Sequence, residues 1–132
     1  MSGAQRLSLR CPAQSRYVAP VRHALAAFLQ ALEFERQALE DITTAAGEAL
    51  ANIVEHAYAR SEKSTKRYLE LRAKLDRRGR LCVVISDNGS FVDRRPLPGR
   101  GFGLRIIRAI AAQLTIDTSD GTRVSMVFER GS

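Results

Sequence analysis

The stretch Asp41–Tyr58, reading D-I-T-T-A-A-G-E-A-L-A-N-I-V-E-H-A-Y, constrains the fold more than any other part of the chain. Ile42, Ala46, Ala49, Leu50, Ile53, Val54 and Ala57 recur at steps of three and four, the period of an amphipathic helix. Glu48, Asn52 and His56 follow one another at four-residue steps, each turning only about 40° around a 3.6-residue helix. They form a polar row on an element whose other faces are apolar. A carboxylate and a carboxamide one turn apart have two readings. They can be a polar pair bonded into a neighbouring loop, or the Asn oxygen can be a hard ligand for Mg²⁺ with the Glu as a base beside it. The helix alone does not choose.

At 132 residues and 45% hydrophobic content, the chain fits one domain, 1–132, with one core. No apolar run is long enough to span a bilayer, and M-S-G-A-Q-R-L-S-L-R lacks the apolar centre of a signal peptide. A cytoplasmic protein without a membrane partner is expected. Cys11 and Cys82 fit no metal spacing and are expected to remain reduced. The net charge of +7 is the extreme value, and nine Lys or Arg residues fall between Arg60 and Arg80. That stretch holds one aromatic, Tyr68, and its charges alternate with Leu69, Leu71, Ala73 and Leu75, as on the solvent face of a strand. Direct nucleic-acid binding is therefore not expected; an acidic protein partner or a nucleotide suits the charge better.

Elsewhere the pattern predicts a first strand over Gln5–Arg10, at an edge, and a helix within Ser15–Leu32 with Val18, Val21, Leu25, Phe28, Leu29 and Leu32 buried. Pro20 requires that helix to start near Ala19. Glu33–Glu40 reads as a charged connection and Ala59–Lys66 as a loop. Arg67–Leu75 and Arg80–Asp87 read as a hairpin turning at Asp76-Arg77-Arg78-Gly79, with L-C-V-V-I-S-D a central strand. A helix over Phe102–Leu114 and strands over Thr115–Ser119 and Arg123–Glu129 complete the chain. This order implies an α+β fold: a two-layer sandwich of about three helices on one face of a mixed, mostly antiparallel sheet.

Two further stretches carry chemistry. In Gly99-Arg100-Gly101-Phe102-Gly103, at the opening of the last helix, glycines let backbone approach a ligand and Arg100 can pair with a phosphate oxygen. It does not follow a strand directly, so the dinucleotide-binding fingerprint of a βαβ unit is not met. Asp87, closing a buried strand two residues before Gly89, either caps its turn or accepts a hydrogen bond from an exocyclic amine.

Taken together, E-x-x-x-N on a helix, D-x-G closing a strand, G-x-G-x-G opening a helix and G-T before a last strand resemble the GHKL ATP-binding fold, also called the Bergerat fold. E-A-L-A-N-I-V-E-H-A-Y, G-R-G-F-G-L-R-I-I and D-G-T-R-V-S-M-V-F look most like the bacterial anti-sigma-factor serine/threonine kinases of the RsbW-like group. The resemblance implies that the cofactors are ATP and Mg²⁺, with Asn52 holding the metal and Glu48 the base that takes the proton of a protein hydroxyl. It implies that Asp87 binds the adenine amino group, that Gly89 passes beneath the ring, and that Thr122 completes the pocket. Gly99, Arg100, Gly101 and Gly103 would form the lid over the phosphates, with Leu104 beside them. His56 would support the helix or the lid. Arg22 would contact the partners, a sigma factor and its STAS-type antagonist, in a partner-switching system that regulates transcription; a homodimer is compatible with this. The family's D-x-G-x-G-F box reads D-N-G-S-F-V-D here, without its second glycine, and the stretch between Asn88 and Gly99 is short. These departures keep open a sequestering module without efficient phosphoryl transfer.

Overall fold

The computed structural model describes residues 5–59, 68–87, 101–117 and 121–130, with side chains for all of these except 56–59 and 101–104. The elements are β1 (Gln5–Pro12), α1 (Val18–Ala31), α2 (Arg36–Ala59), β2 (Tyr68–Leu75), β3 (Arg80–Asp87), α3 (Gly101–Ile110), β4 (Gln113–Asp117) and β5 (Arg123–Glu129). A 3₁₀ turn at Ser15–Tyr17 leads into α1, so Pro20 falls in the first helical turn, where its missing N–H costs nothing.

The five strands lie in the order β1-β2-β3-β5-β4, and each neighbouring pair is antiparallel. β1 is an edge and β3 the centre, as the sequence predicts. The expected "mixed" character resolves into a uniformly antiparallel sheet, because β5 enters beside β3 and leaves β4 outside it.

Period-two alternation puts Leu69, Leu71, Ala73 and Leu75 of β2 beneath the helices, with Leu81, Val83 and Ile85 of β3 and Val124, Met126 and Phe128 of β5. Tyr68, Arg72 and Lys74 emerge on the opposite face, which bears out the solvent-face reading for the described part of the basic stretch. β3 is not buried on both sides, however. Cys82 is exposed and Val84 half-buried, because this face carries no second layer among the described residues.

α2 is the middle of the helical layer and packs against α1, α3 and β3. Ala45, Ala46 and Ala49 are fully buried on it, and their small side chains let the neighbouring elements approach; Ile42, Leu50 and Ile53 fill the remaining space. The helix starts at Arg36, earlier than predicted. Arg36 pairs with Glu40 at 3.3 Å and Gln37 Nε2 donates to Asp41 Oδ1 at 3.1 Å, both at i, i+4, so the charges of the expected connection support a helical turn.

α1 ends on a left-handed residue, Glu33 at φ 65°, with the Phe34 N–H bonded to Leu29 O at 3.0 Å and the Glu33 N–H to Gln30 O at 2.9 Å. Phe34 thereby turns inward to 7% exposure. At the other end of the chain, α3 stops at Ile110 and not at Leu114. The Ala112 N–H bonds Val127 O at 2.7 Å and Leu114 pairs with Met126 in the sheet. Leu114 fits the helical period as well as the strand, and the ladder decides between them.

Candidate functional site

α2 contributes the first part of the site. Its buried stripe is fixed by Ile42, Ala46, Leu50 and Ile53, which leaves Glu48 half-buried and Asn52 at 7% exposure, one turn apart. Among the described residues, no hydrogen bond or ion pair holds either side chain. The reading in which the two are bonded into a neighbouring loop thus finds no partner among the described residues. His56 belongs to the same helix, but its side chain lies outside the described residues.

β3 and β5 contribute the second part. Asp87 closes β3 at 9% exposure, and its N–H donates to Thr122 O at 3.0 Å across the mouth of the sheet. Gly121, at φ 85°, lets the chain turn sharply enough to place Thr122 there. Thr122 is 1% exposed, and its Oγ1 is buried with no hydrogen-bond partner. A buried hydroxyl without a partner costs about 1–3 kcal/mol, so such groups are scarce in native folds and mark places where a ligand or water completes the set.

The structure therefore joins Asp87 to Thr122 and keeps Glu48 and Asn52 on one helix that packs on β3. Gly101 and Gly103 lie in the first turn of α3, which packs on α2 and begins one residue before the predicted Phe102. The side chain of Leu104 is outside the described set, as are Gly89, Gly99 and Arg100 and with them the greater part of the expected lid.

Arg22 lies exposed on α1. Its side chain crosses to α2 and rests over Gly47, the residue before Glu48. The sequence reading passed over Gly47; the available signal was a glycine in the interior of an alanine-rich helix.

The donor set can be tested against the implied cofactors. Among the described residues, no group of three or more His, Cys, Asp or Glu could hold a metal. A metal here would need most of its ligands from phosphate and water, which is the habit of Mg²⁺, with one protein oxygen from Asn52. The unpartnered Thr122 hydroxyl beside Asp87 fits a polar ligand at the end of β3. Both parts are compatible with a nucleotide and its metal. Cys11 is not a candidate nucleophile, since burial pushes its thiol pKa up and disfavours the thiolate. No helix among the described residues is long and apolar enough to cross a membrane.

A five-stranded antiparallel sheet carrying helices on one face matches the fold class expected from the sequence, that of the histidine kinase-like ATPases. The family described as the histidine kinase-like ATPase domain matches residues 11–128, and the chain belongs to it. It is similar to the serine-protein kinase RsbW of Bacillus thuringiensis (strain Al Hakam), with 27% identity over 138 residues covering 92% of this chain and 83% of that protein. The RsbW of Bacillus anthracis gives the same figures, 27% identity and 92% and 83% coverage. Among solved structures, the RsbU and RsbW domains of Rv1364c from Mycobacterium tuberculosis match with a TM-score of 0.74 and 21% identity, covering 95% of this chain. The chain spans about a third of that larger protein, 32%. A blue-light activated histidine kinase domain from Erythrobacter litoralis matches with a TM-score of 0.58 and 16% identity, covering 89% of this chain and 60% of that one. These two likenesses establish the fold.

Proposed function

We propose that this chain is a single ATP-binding domain that acts as an ATP- and Mg²⁺-dependent serine/threonine-protein kinase of the anti-sigma-factor type. Its substrate would be a small STAS-type antagonist, its other partner a sigma factor, and its compartment the cytoplasm. The observation that carries this reading is the pair on α2: a half-buried carboxylate and a buried carboxamide one turn apart, unheld by other described side chains.

When bound, ATP and Mg²⁺ supply the transferable phosphoryl group and the charge that neutralises it. Asn52 holds the metal through its side-chain oxygen. Asp87 accepts a hydrogen bond from the adenine amino group, and the Thr122 hydroxyl gains the partner it lacks in the protein alone. The first turn of α3, starting at Gly101, would offer backbone N–H groups to phosphate oxygens. Glu48 takes the proton from the attacking serine or threonine hydroxyl; a positioned base of this kind contributes about 10²–10⁴ in rate. Arg22, on the neighbouring helix, contacts the protein partner.

In the test, Glu48→Ala lowers phosphoryl transfer by at least about 100-fold while calorimetry with ATP and Mg²⁺ shows binding retained. Transfer at the wild-type rate removes Glu48 from the role of base. The missing second glycine in D-N-G-S-F-V-D favours one alternative, a sequestering module. For that module, the wild-type chain would bind its partners and give no heat with ATP.

A further inference from the structure

Gly47 sits inside α2, where glycine weakens a helix relative to alanine. Its place in the packing accounts for it. A Cβ built on Gly47 would stand 3.1 Å from Arg22 Cδ and 3.4 Å from Arg22 Nη1, closer at the first than ordinary contact between carbons. The stem of Arg22 thus lies in a shallow notch over Gly47, and a side chain there would press on it. Among the described residues, no carboxylate pairs with the Arg22 guanidinium.

We propose that Gly47 is a positioning residue, whose notch seats Arg22 across α2 and presents its guanidinium, unpaired, to a carboxylate on the protein partner. This rests on the part of the proposed function in which Arg22 meets a protein partner, whether or not phosphoryl transfer follows. An exposed arginine samples many rotamers, and a partner that uses it must order it. A salt bridge within the chain would order it too, but would occupy the donors. Packing the stem against bare backbone orders the side chain and leaves all five N–H groups open for a bidentate contact. Ordering one long side chain in advance is worth about three- to tenfold in affinity. Gly47 immediately precedes Glu48, so the seated charge also fixes the approach of the partner relative to the base.

The test uses the full chain labelled with ¹⁵N at arginine, as wild type, Gly47→Ala, Gly47→Leu, Arg22→Ala and the double variant Arg22→Ala/Gly47→Leu. The Arg22 Nε–H signal is read by heteronuclear NOE and during titration with a glutamate-rich peptide carrying one serine. The wild-type signal is expected to be restricted and to shift with peptide. Gly47→Ala, which asks Arg22 to give by a few tenths of an ångström, loosens it slightly; Gly47→Leu frees it and weakens peptide binding about three- to tenfold. Thermal stability stays level or rises in both, since Ala and Leu are better helix formers than Gly, so unfolding does not explain the loss. In the Arg22→Ala background, Gly47→Leu adds nothing further. An Arg22 signal as ordered in Gly47→Leu as in wild type overturns the proposal, as does an equal loss of affinity in the Arg22→Ala background or a wild-type Arg22 signal that peptide leaves unmoved. A parallel ATP titration keeps the two readings apart: absence of ATP binding removes the kinase reading and leaves the Arg22 result standing.

Discussion

At the end of the sheet that carries the β2–β3 turn, polar groups close on one another. Asp76 Oδ1 accepts from the N–H groups of Arg78 and Arg80, both at 2.9 Å, and Gly79 O accepts from the Arg130 N–H at 3.0 Å. The Arg130 side chain then reaches the end of α1, donating to Leu32 O at 2.6 Å and Glu33 O at 3.3 Å, with its guanidinium 4.5 Å from the centre of the Phe34 ring. At the opposite end, where β3 stops at Asp87, the Thr122 hydroxyl is buried without a partner, and the Asn52 amide is nearly buried with none among the described residues. The first end is complete in itself. The second leaves a buried hydroxyl unanswered, the kind of local exception that natural proteins carry at functional sites.

Three substitutions press on this contrast. Arg130→Ala should have the largest effect, since it strips two carbonyl bonds and a ring contact from the closed end. A loss of about 2 kcal/mol is expected, lowering Tm by roughly 6–10 °C for a chain of this size, with ATP affinity unchanged. A Tm within about 2 °C of wild type would mean that the closed end is not where stability is held. Thr122→Val, at the open end, should act in the opposite direction. Removing the orphaned hydroxyl while keeping the shape raises stability by about 1 kcal/mol and weakens ATP binding several-fold. Thermal melts and calorimetry on the same sample decide this, and a destabilised variant would show that the hydroxyl has a partner in solution.

The smallest effect is that of Asp76, half-buried in the β2–β3 turn. The backbone N–H of Arg80, followed by that of Arg78, holds its carboxyl below the ordinary 3.8. A depressed carboxylate stabilises the fold above the ordinary carboxylate range and loses that contribution as pH falls through its folded-state value. Wild type should therefore melt above Asp76→Asn at pH 7, with the gap narrowing below about pH 4. A gap that is constant with pH would assign the difference to the turn's geometry and not to its charge.

Much of this was readable in the chain. β3 and β5 have the ends that alternation and turn residues predict, and Gly79 takes the positive φ that its turn requires. The polar row of α2 follows from spacing alone. The reading failed where two local patterns were equally good. Leu114 suited a helix or a strand, and the charged run before Asp41 suited a loop or a helix carrying its own ion pair.

The sequence by itself determined the antiparallel hairpin, the amphipathic middle helix and the residue types at the site, because each is a matter of period and of side-chain chemistry within a few residues. Only the tertiary structure decided that Thr122 is buried with its hydroxyl unanswered, that Arg130 closes the far end of α1, and that Arg22 lies in the notch at Gly47. Those depend on contacts between residues far apart in the chain, and no local pattern encodes which distant surface a side chain will meet.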